Sequence, residues 1–233
     1  VTAARERAPA LRVFSYLPNP RLAKATIAAR LCGVVIEIRG ARPREVAGWL
    51  WDFDARPLEA EDTSTGTARE ARVGFAGTLH KTDAFLSAHP FGAVPAAFSP
   101  DGEIGIFESN AIARAVVRLA PERTGLYGDD PYTASRIDSF LDASLVFARE
   151  VQSYLLKLAS GRVKPQTHER ARAARDTYLA GIEQALAPAR AFLVGDGLTL
   201  ADIVFAAEIA LFSAERASHH VLSEAALTPL YGE

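Results

Sequence analysis

The chain has 233 residues, 49% of them hydrophobic and 23% charged, with a formal net charge of −2. That length fits one large or two small domains with a sizeable core, and the near-neutral balance gives no electrostatic case for nucleic acid or an anionic membrane surface. No run of about 18 apolar residues offers a membrane span, and the single cysteine, Cys32, excludes an intramolecular disulfide and suits a reducing, cytoplasmic setting.

Residues 1–10, with Arg5, Glu6 and Arg7 and no apolar segment, read as a tail and not a signal peptide. Leu11 to Tyr16 is a β-favouring run, and Leu17-Pro18-Asn19-Pro20 is a turn. Asn19 is a good N-cap, and Pro20 suits the first helical position because its missing N–H would have no partner there. A helix is predicted over Arg21 to Leu31, closed by Gly33, with a second strand at Val34 to Ile38. Strand–helix–strand at this spacing predicts a parallel pair. One of Ser15 and Tyr16 points inward by alternation, and the sequence does not say which.

The stretch 39–78 is far longer than an ordinary connection of about four to six residues. Glycines and prolines punctuate it, including Gly74. It holds both tryptophans of the chain, Trp49 and Trp51, and then a polar run, Glu59 to Arg72, expected to be mobile. Two readings stand. Its aromatics pack on the surface of the first domain, or the stretch is a lid with Trp49 or Trp51 facing an aromatic substrate.

A short helix is predicted over Thr82 to His89, preceded by Arg72, His80 and Lys81. Val94 to Phe98 and Ile104 to Phe107 read as hairpin strands around the turn Asp101-Gly102. Pro95 cannot donate a ladder hydrogen bond, which points to an edge or turn and a candidate cis peptide. Glu108 and Ser109 open the next helix, Ser109 to Arg118, beside N–H groups that have no partner within it. The linker Ala120 to Pro131 marks a domain boundary.

Beyond it the pattern is helical only, with helices predicted over Tyr132 to Ala159 and His168 to Leu186. His168 sits at a helix start and reads as solvated. Thr199 and Asp202 form a capping box ahead of an apolar helix, with Leu198 able to staple to Ile203. His219-His220 lacks supporting ligands at metal-binding spacing, so no metal is expected.

The motifs Pro90-Phe91-Gly92-Ala93-Val94-Pro95-Ala96 and Phe107-Glu108-Ser109-Asn110-Ala111-Ile112 resemble the glutathione-binding half of the glutathione transferase superfamily. Within it, the chain looks most like the transferase-like domain of the elongation-factor-one gamma subunit. The resemblance covers roughly residues 11–38 and 79–215. It implies an α/β thioredoxin-like domain over 11–120, interrupted by the 39–78 insertion, and an all-helical domain over 131–233. It further implies a homodimeric glutathione S-transferase that uses glutathione as co-substrate and attacks a hydrophobic, including an aromatic, electrophile.

By the same resemblance, Val94 pairs its backbone with the cysteinyl unit of glutathione, Glu108 and Ser109 hold the γ-glutamyl end, and Lys81 meets the glycine carboxylate. Catalysis belongs to the turn after the first strand. Where many members carry a serine, this chain has Pro20, which leaves Asn19, Ser15 and Tyr16 as candidates to stabilise a thiolate. Phe140, Phe147 and Tyr154 are candidate lining residues for the hydrophobic substrate, beside Trp49 and Trp51. The alternative function is a non-catalytic interaction module of the elongation-factor gamma type.

Overall fold

The computed structural model describes residues 8–64, 66–71 and 75–232. Most of the expected tail, together with Arg72 and Gly74, lies outside the described residues. The chain divides into two compact units, Val1–Thr124 and Gly125–Glu233.

In the first unit, β1 (Leu11–Phe14), α1 (Leu22–Cys32) and β2 (Ile36–Arg39) form the expected parallel strand–helix–strand, in register from Leu11↔Ile36 to Phe14↔Arg39. The turn before α1 is organised by Asn19. Its Oδ1 accepts from the Arg21 N–H at 3.0 Å, and its carbonyl accepts from the Leu22 N–H at 2.9 Å. Gly33, at φ 64°, ends α1 in the left-handed region that glycine enters without a Cβ clash.

Residues 39–78 contain β3 (Trp49–Trp51), β4 (Arg56–Pro57) and β5 (Ala68–Glu70), and β6 (Thr78–Lys81) completes a second sheet of order β4-β3-β6-β5. The elements α2 (Asp83–Ala88), β7 (Ala96–Phe98), β8 (Gly105–Phe107) and α3 (Ser109–Arg118) follow. β7 runs antiparallel to β1 and β8 antiparallel to β7, giving a first sheet of order β2-β1-β7-β8. Both hairpin strands are shorter than predicted, so Val94 and Ile104 fall just outside them.

The inserted sheet corrects two expectations. Trp51 does not face a substrate. It is 1% exposed, in one apolar cluster with Phe14, Val46, Leu79, Phe85, Ala96 and Phe98. Its indole N–H donates to the Val46 carbonyl at 3.0 Å. Of the two readings, the structure bears out packing on the first domain and not a lid: Trp49 and Trp51 share one face of β3 by alternation, and that face packs on the apolar cluster, where burial stabilises. Trp49, half-buried, stacks on Phe14 with ring centroids 6.1 Å apart. Nor is the polar run from Glu59 structureless. Arg56 grips Asp62 through two bonds of 2.7 and 2.9 Å, and a one-turn 3-10 helix spans Glu61–Ser64. That paired guanidinium holds the Asp62 carboxyl below the usual carboxylate range.

The second unit is α4 (Pro131–Ala159), α5 (Pro165–Leu186), α6 (Leu200–Phe212) and α7 (His219–Glu224). Asp130 caps α4 by accepting from the Tyr132 and Thr133 N–H groups, with Pro131 in the first turn. The Thr199–Asp202 capping box forms as expected at α6. Asp202 also accepts from the Leu193 N–H at 2.9 Å, which ties the preceding loop to the helix start. Leu198, the proposed staple, stays exposed.

His168 is a further correction. It is buried, its Nε2 lies 2.8 Å from the Thr228 carbonyl, and its ring meets Tyr154 edge-on. The C-terminal residues fold back over it. They are held by Glu215, whose buried carboxylate accepts from the Leu230 and Tyr231 N–H groups and from the Tyr154 hydroxyl at 2.5 Å. Among the described residues, no helix is long and apolar enough to cross a membrane.

Candidate functional site

Strand register gathers the first unit's candidates at one end of its sheet. Phe14 pairs with Ala96, and Ala96 pairs with Phe107. The residues just past these pairs are therefore Ser15 and Tyr16 after β1, Val94 and Pro95 before β7, and Glu108 and Ser109 after β8. Val94 lies beyond the end of both ladders, and the Val94–Pro95 peptide is cis, as the sequence pattern allowed. Val94 thus falls outside the paired residues of both neighbouring strands.

Glu108 is exposed and has φ 69° and ψ 125°, a conformation rare for a residue with a side chain. Backbone strain of this kind collects at binding and catalytic sites. Immediately after it, Ser109 opens α3, so its hydroxyl stands among N–H groups suited to an anion.

Beneath Ser109 lies a residue that sequence reasoning did not single out. Lys24, on α1, is 1% exposed. Its ammonium donates to Asn110 Oδ1 at 2.7 Å and to Ser109 Oγ at 3.3 Å. The available signal was a lysine within one turn of the small buried residues Ala25 and Ala28.

Of the three catalytic candidates, two hold each other. Ser15 is 0% exposed, and its Oγ accepts from Asn19 Nδ2 at 3.0 Å. An inaccessible hydroxyl cannot meet a ligand thiol, which corrects Ser15 as a contact residue. The Arg21 and Leu22 N–H groups are engaged by Asn19, so they are not available to a thiolate. Tyr16 falls on the Phe14 side of the strand, packs against the apolar cluster and meets Phe75 edge-on. Burial pushes its pKa up, while the positive charge of Arg21 pulls the other way. The phenol therefore keeps its proton and remains a donor.

Lys81 is pinned within its own unit. Its ammonium donates to the Gly92 carbonyl at 2.6 Å and lies 4.6 Å from the centroid of the Trp51 ring. Gly92, at φ 55°, holds a conformation that strains a side chain, and a Cβ there would sit tight against Leu86 Cδ2 at 3.0 Å and Lys81 Nζ at 3.2 Å. Lys81 and Gly92 thus fix the turn that delivers Val94. His89, in the same turn, is buried against Phe85 and Phe107, and burial, helped by the nearby Lys81 charge, pushes its pKa down.

In the helical unit, a groove of about 990 Å³ runs between α4 and α5, lined by Phe140, Ala143, Val146, Phe147, Tyr178 and Ile182 among others. Phe140 is half-buried beneath the Arg136 guanidinium. Phe147 reaches the groove only at its floor, because its ring stacks on Tyr178 and meets Phe212 edge-on. Tyr154 is fully buried and does not line it.

The glutathione S-transferase C-terminal domain family matches residues 139–224. A glutathione S-transferase-like protein of Gibberella moniliformis is 29% identical over 202 residues, covering 84% of this chain and 74% of that protein. Elongation factor 1-gamma 3 of Oryza sativa subsp. japonica is 35% identical over 146 residues, 60% of this chain and 33% of that protein. Among solved structures, a Bombyx mori glutathione transferase superposes with a TM-score of 0.61 at 16% identity, over 94% of this chain and 86% of that one. The Ure2p complex with glutathione gives 0.57 at 18% identity, over 96% and 88%.

Residues 139–224 match the glutathione S-transferase C-terminal domain, and the chain as a whole has the fold of the glutathione transferases. The first unit has the thioredoxin-like fold of those proteins, with an inserted sheet, and the second is all-helical. The chain's relatives include both transferase-like proteins and elongation-factor gamma subunits, and it spans only a third of the length of the rice protein.

Proposed function

We propose that this chain is a cytoplasmic, homodimeric glutathione S-transferase that joins the glutathione sulfur to a hydrophobic electrophile. The observation that carries the reading is the Glu108–Ser109 pair, set at the α3 start beside the open backbone of Val94. Glu108 would accept from the γ-glutamyl ammonium. Ser109 and the first N–H groups of α3 would meet the adjacent carboxylate. Val94 would take the cysteinyl unit as an added strand.

Tyr16 is the hydroxyl best suited to the sulfur. A protonated phenol donates to the thiolate and so favours the reactive anion. The thiolate then forms the carbon–sulfur bond, and the electrophile's leaving group departs with its electron pair. Tyr16→Phe is expected to keep glutathione affinity within about twofold while lowering kcat by about 10- to 100-fold, the worth of a hydrogen bond to a charged group. The pKa of the bound thiol, read from the pH dependence of turnover, should rise with it. An unchanged profile would remove Tyr16 from the chemistry.

Titration with glutathione, with and without a model aromatic electrophile, tests the whole reading. Binding with turnover supports it. Glu108→Ala should weaken glutathione binding by about 10- to 100-fold, since it removes a charged hydrogen-bond partner, with little change in circular dichroism. An unchanged dissociation constant would take Glu108 out of the site.

One observation favours the second reading, a non-catalytic module of the elongation-factor gamma type: Ser15 and Asn19 are engaged with each other. Binding of neither glutathione nor electrophile in the same titration supports that module.

A further inference from the structure

Lys24 is a buried cation with a defined target. It rises from α1 and donates to two side chains at the start of α3, Ser109 and Asn110. A hydroxyl has one proton to give and two lone pairs to receive. The ammonium occupies a lone pair of Ser109 Oγ from the α1 side, which turns the hydroxyl proton away from α1. Among the described residues no acceptor takes that proton. Asn110, 2% exposed, is held by the shorter of the two bonds and so anchors the lysine in place.

We propose that Lys24 is a positioning residue: it orients the Ser109 hydroxyl as an outward donor and adds positive potential at the α3 start, so that the site selects a ligand carrying a carboxylate there. Within the transferase reading, on which this rests, that group is the α-carboxylate of the γ-glutamyl unit. Lys24 acts through Ser109 and does not touch the ligand. Charge-assisted donors aimed at one point discriminate strongly against a ligand lacking the acceptor, because the donors are left unpaired.

The test compares glutathione with its analogue lacking that carboxylate, in which 4-aminobutyryl replaces the γ-glutamyl unit. Both are titrated into the full chain by calorimetry. Wild type should prefer glutathione by at least about tenfold, in line with one charge-assisted bond. Lys24→Met should bring the ratio close to one, Ser109→Ala should do the same, and the double variant should be no worse than either single. Lys24→Gln keeps a polar donor at nearly the same depth and guards against a misfolded methionine variant. Its ratio should fall at least about threefold, because the charge is gone.

Wild type that discriminates while Lys24→Met or Lys24→Gln discriminates equally well overturns the proposal and leaves the transferase reading standing. Fully additive losses in the double variant also overturn it, since Lys24 would then act independently of Ser109. Wild type that binds neither peptide overturns the transferase reading and the proposal together.

Discussion

Trp51→Ala is expected to destabilise the first unit by about 3 to 5 kcal/mol, the range for deleting a buried aromatic ring. The indole meets Phe14, Phe75 and Phe85 edge-on at 5.4, 5.3 and 6.1 Å. Its N–H satisfies the Val46 carbonyl, which the substitution would leave unpaired as well as opening a cavity. Chemical denaturation followed by far-UV circular dichroism measures the loss. Trp51→Phe should recover part of it, because one ring remains while the N–H bond and the rest of the indole volume go. The ring also lies beneath the Lys81 ammonium, which fixes Gly92 and through it the Val94 turn. Glutathione affinity should therefore fall in the alanine variant at temperatures where it is still folded. A loss under about 1 kcal/mol, together with altered preference among aromatic substrates, would instead make Trp51 a substrate wall.

Glu215→Ala carries a comparable expected effect in the helical unit. The carboxylate is fully buried and accepts from Tyr154, Leu230 and Tyr231. Removing it strands two buried donors, the Tyr154 hydroxyl and the Leu230 N–H, at about 1 to 3 kcal/mol each, and the part-buried Tyr231 N–H besides. Allowing for partial relaxation, the loss should be on the order of 4 kcal/mol. Hydrogen exchange should show the backbone of Leu230 and Tyr231 opening first, since Glu215 is what holds them. Glu215→Gln keeps one carbonyl oxygen and should cost less. Wild-type protection at Leu230 in the alanine variant would refute the latch.

The same cluster sets an alkaline limit. Burial first, and the Glu215 carboxylate next, push the Tyr154 pKa up. Its proton is thus held more tightly in the folded chain than in the unfolded one. The stabilisation is full below the unfolded value of about 10 and is lost as pH rises beyond it.

The sequence carried much of this molecule in local signals. Asp202 three residues after Thr199 and Gly33 after α1 mark helix ends through bonds made within a few residues, whereas Asn19, expected as the cap of α1, organises the turn two residues ahead of the actual cap, Arg21. The Val-Pro and Glu-Ser pairs located one end of the sheet, because hairpin register follows from the turn between the strands. The sequence left two readings of the insertion open because its aromatics alternate too briefly to show which face is covered, and the covering residues, Phe14 and Phe85, lie more than 30 positions away in the chain. The isolated-looking His168 was misread for the same reason: its partner is the carbonyl of Thr228, 60 residues on.

The chain's own order of residues determined the two-part architecture, the helix boundaries and the place of Glu108 and Ser109, since periodicity and capping act over a single turn or hairpin. Tertiary structure alone decided that Trp51 is core, that Ser15 is closed off while Tyr16 keeps its donor, and that Lys24 and Glu215 sit buried with partners. The reason is physical: desolvation and hydrogen-bond satisfaction depend on which distant groups arrive, and no local pattern encodes that arrival.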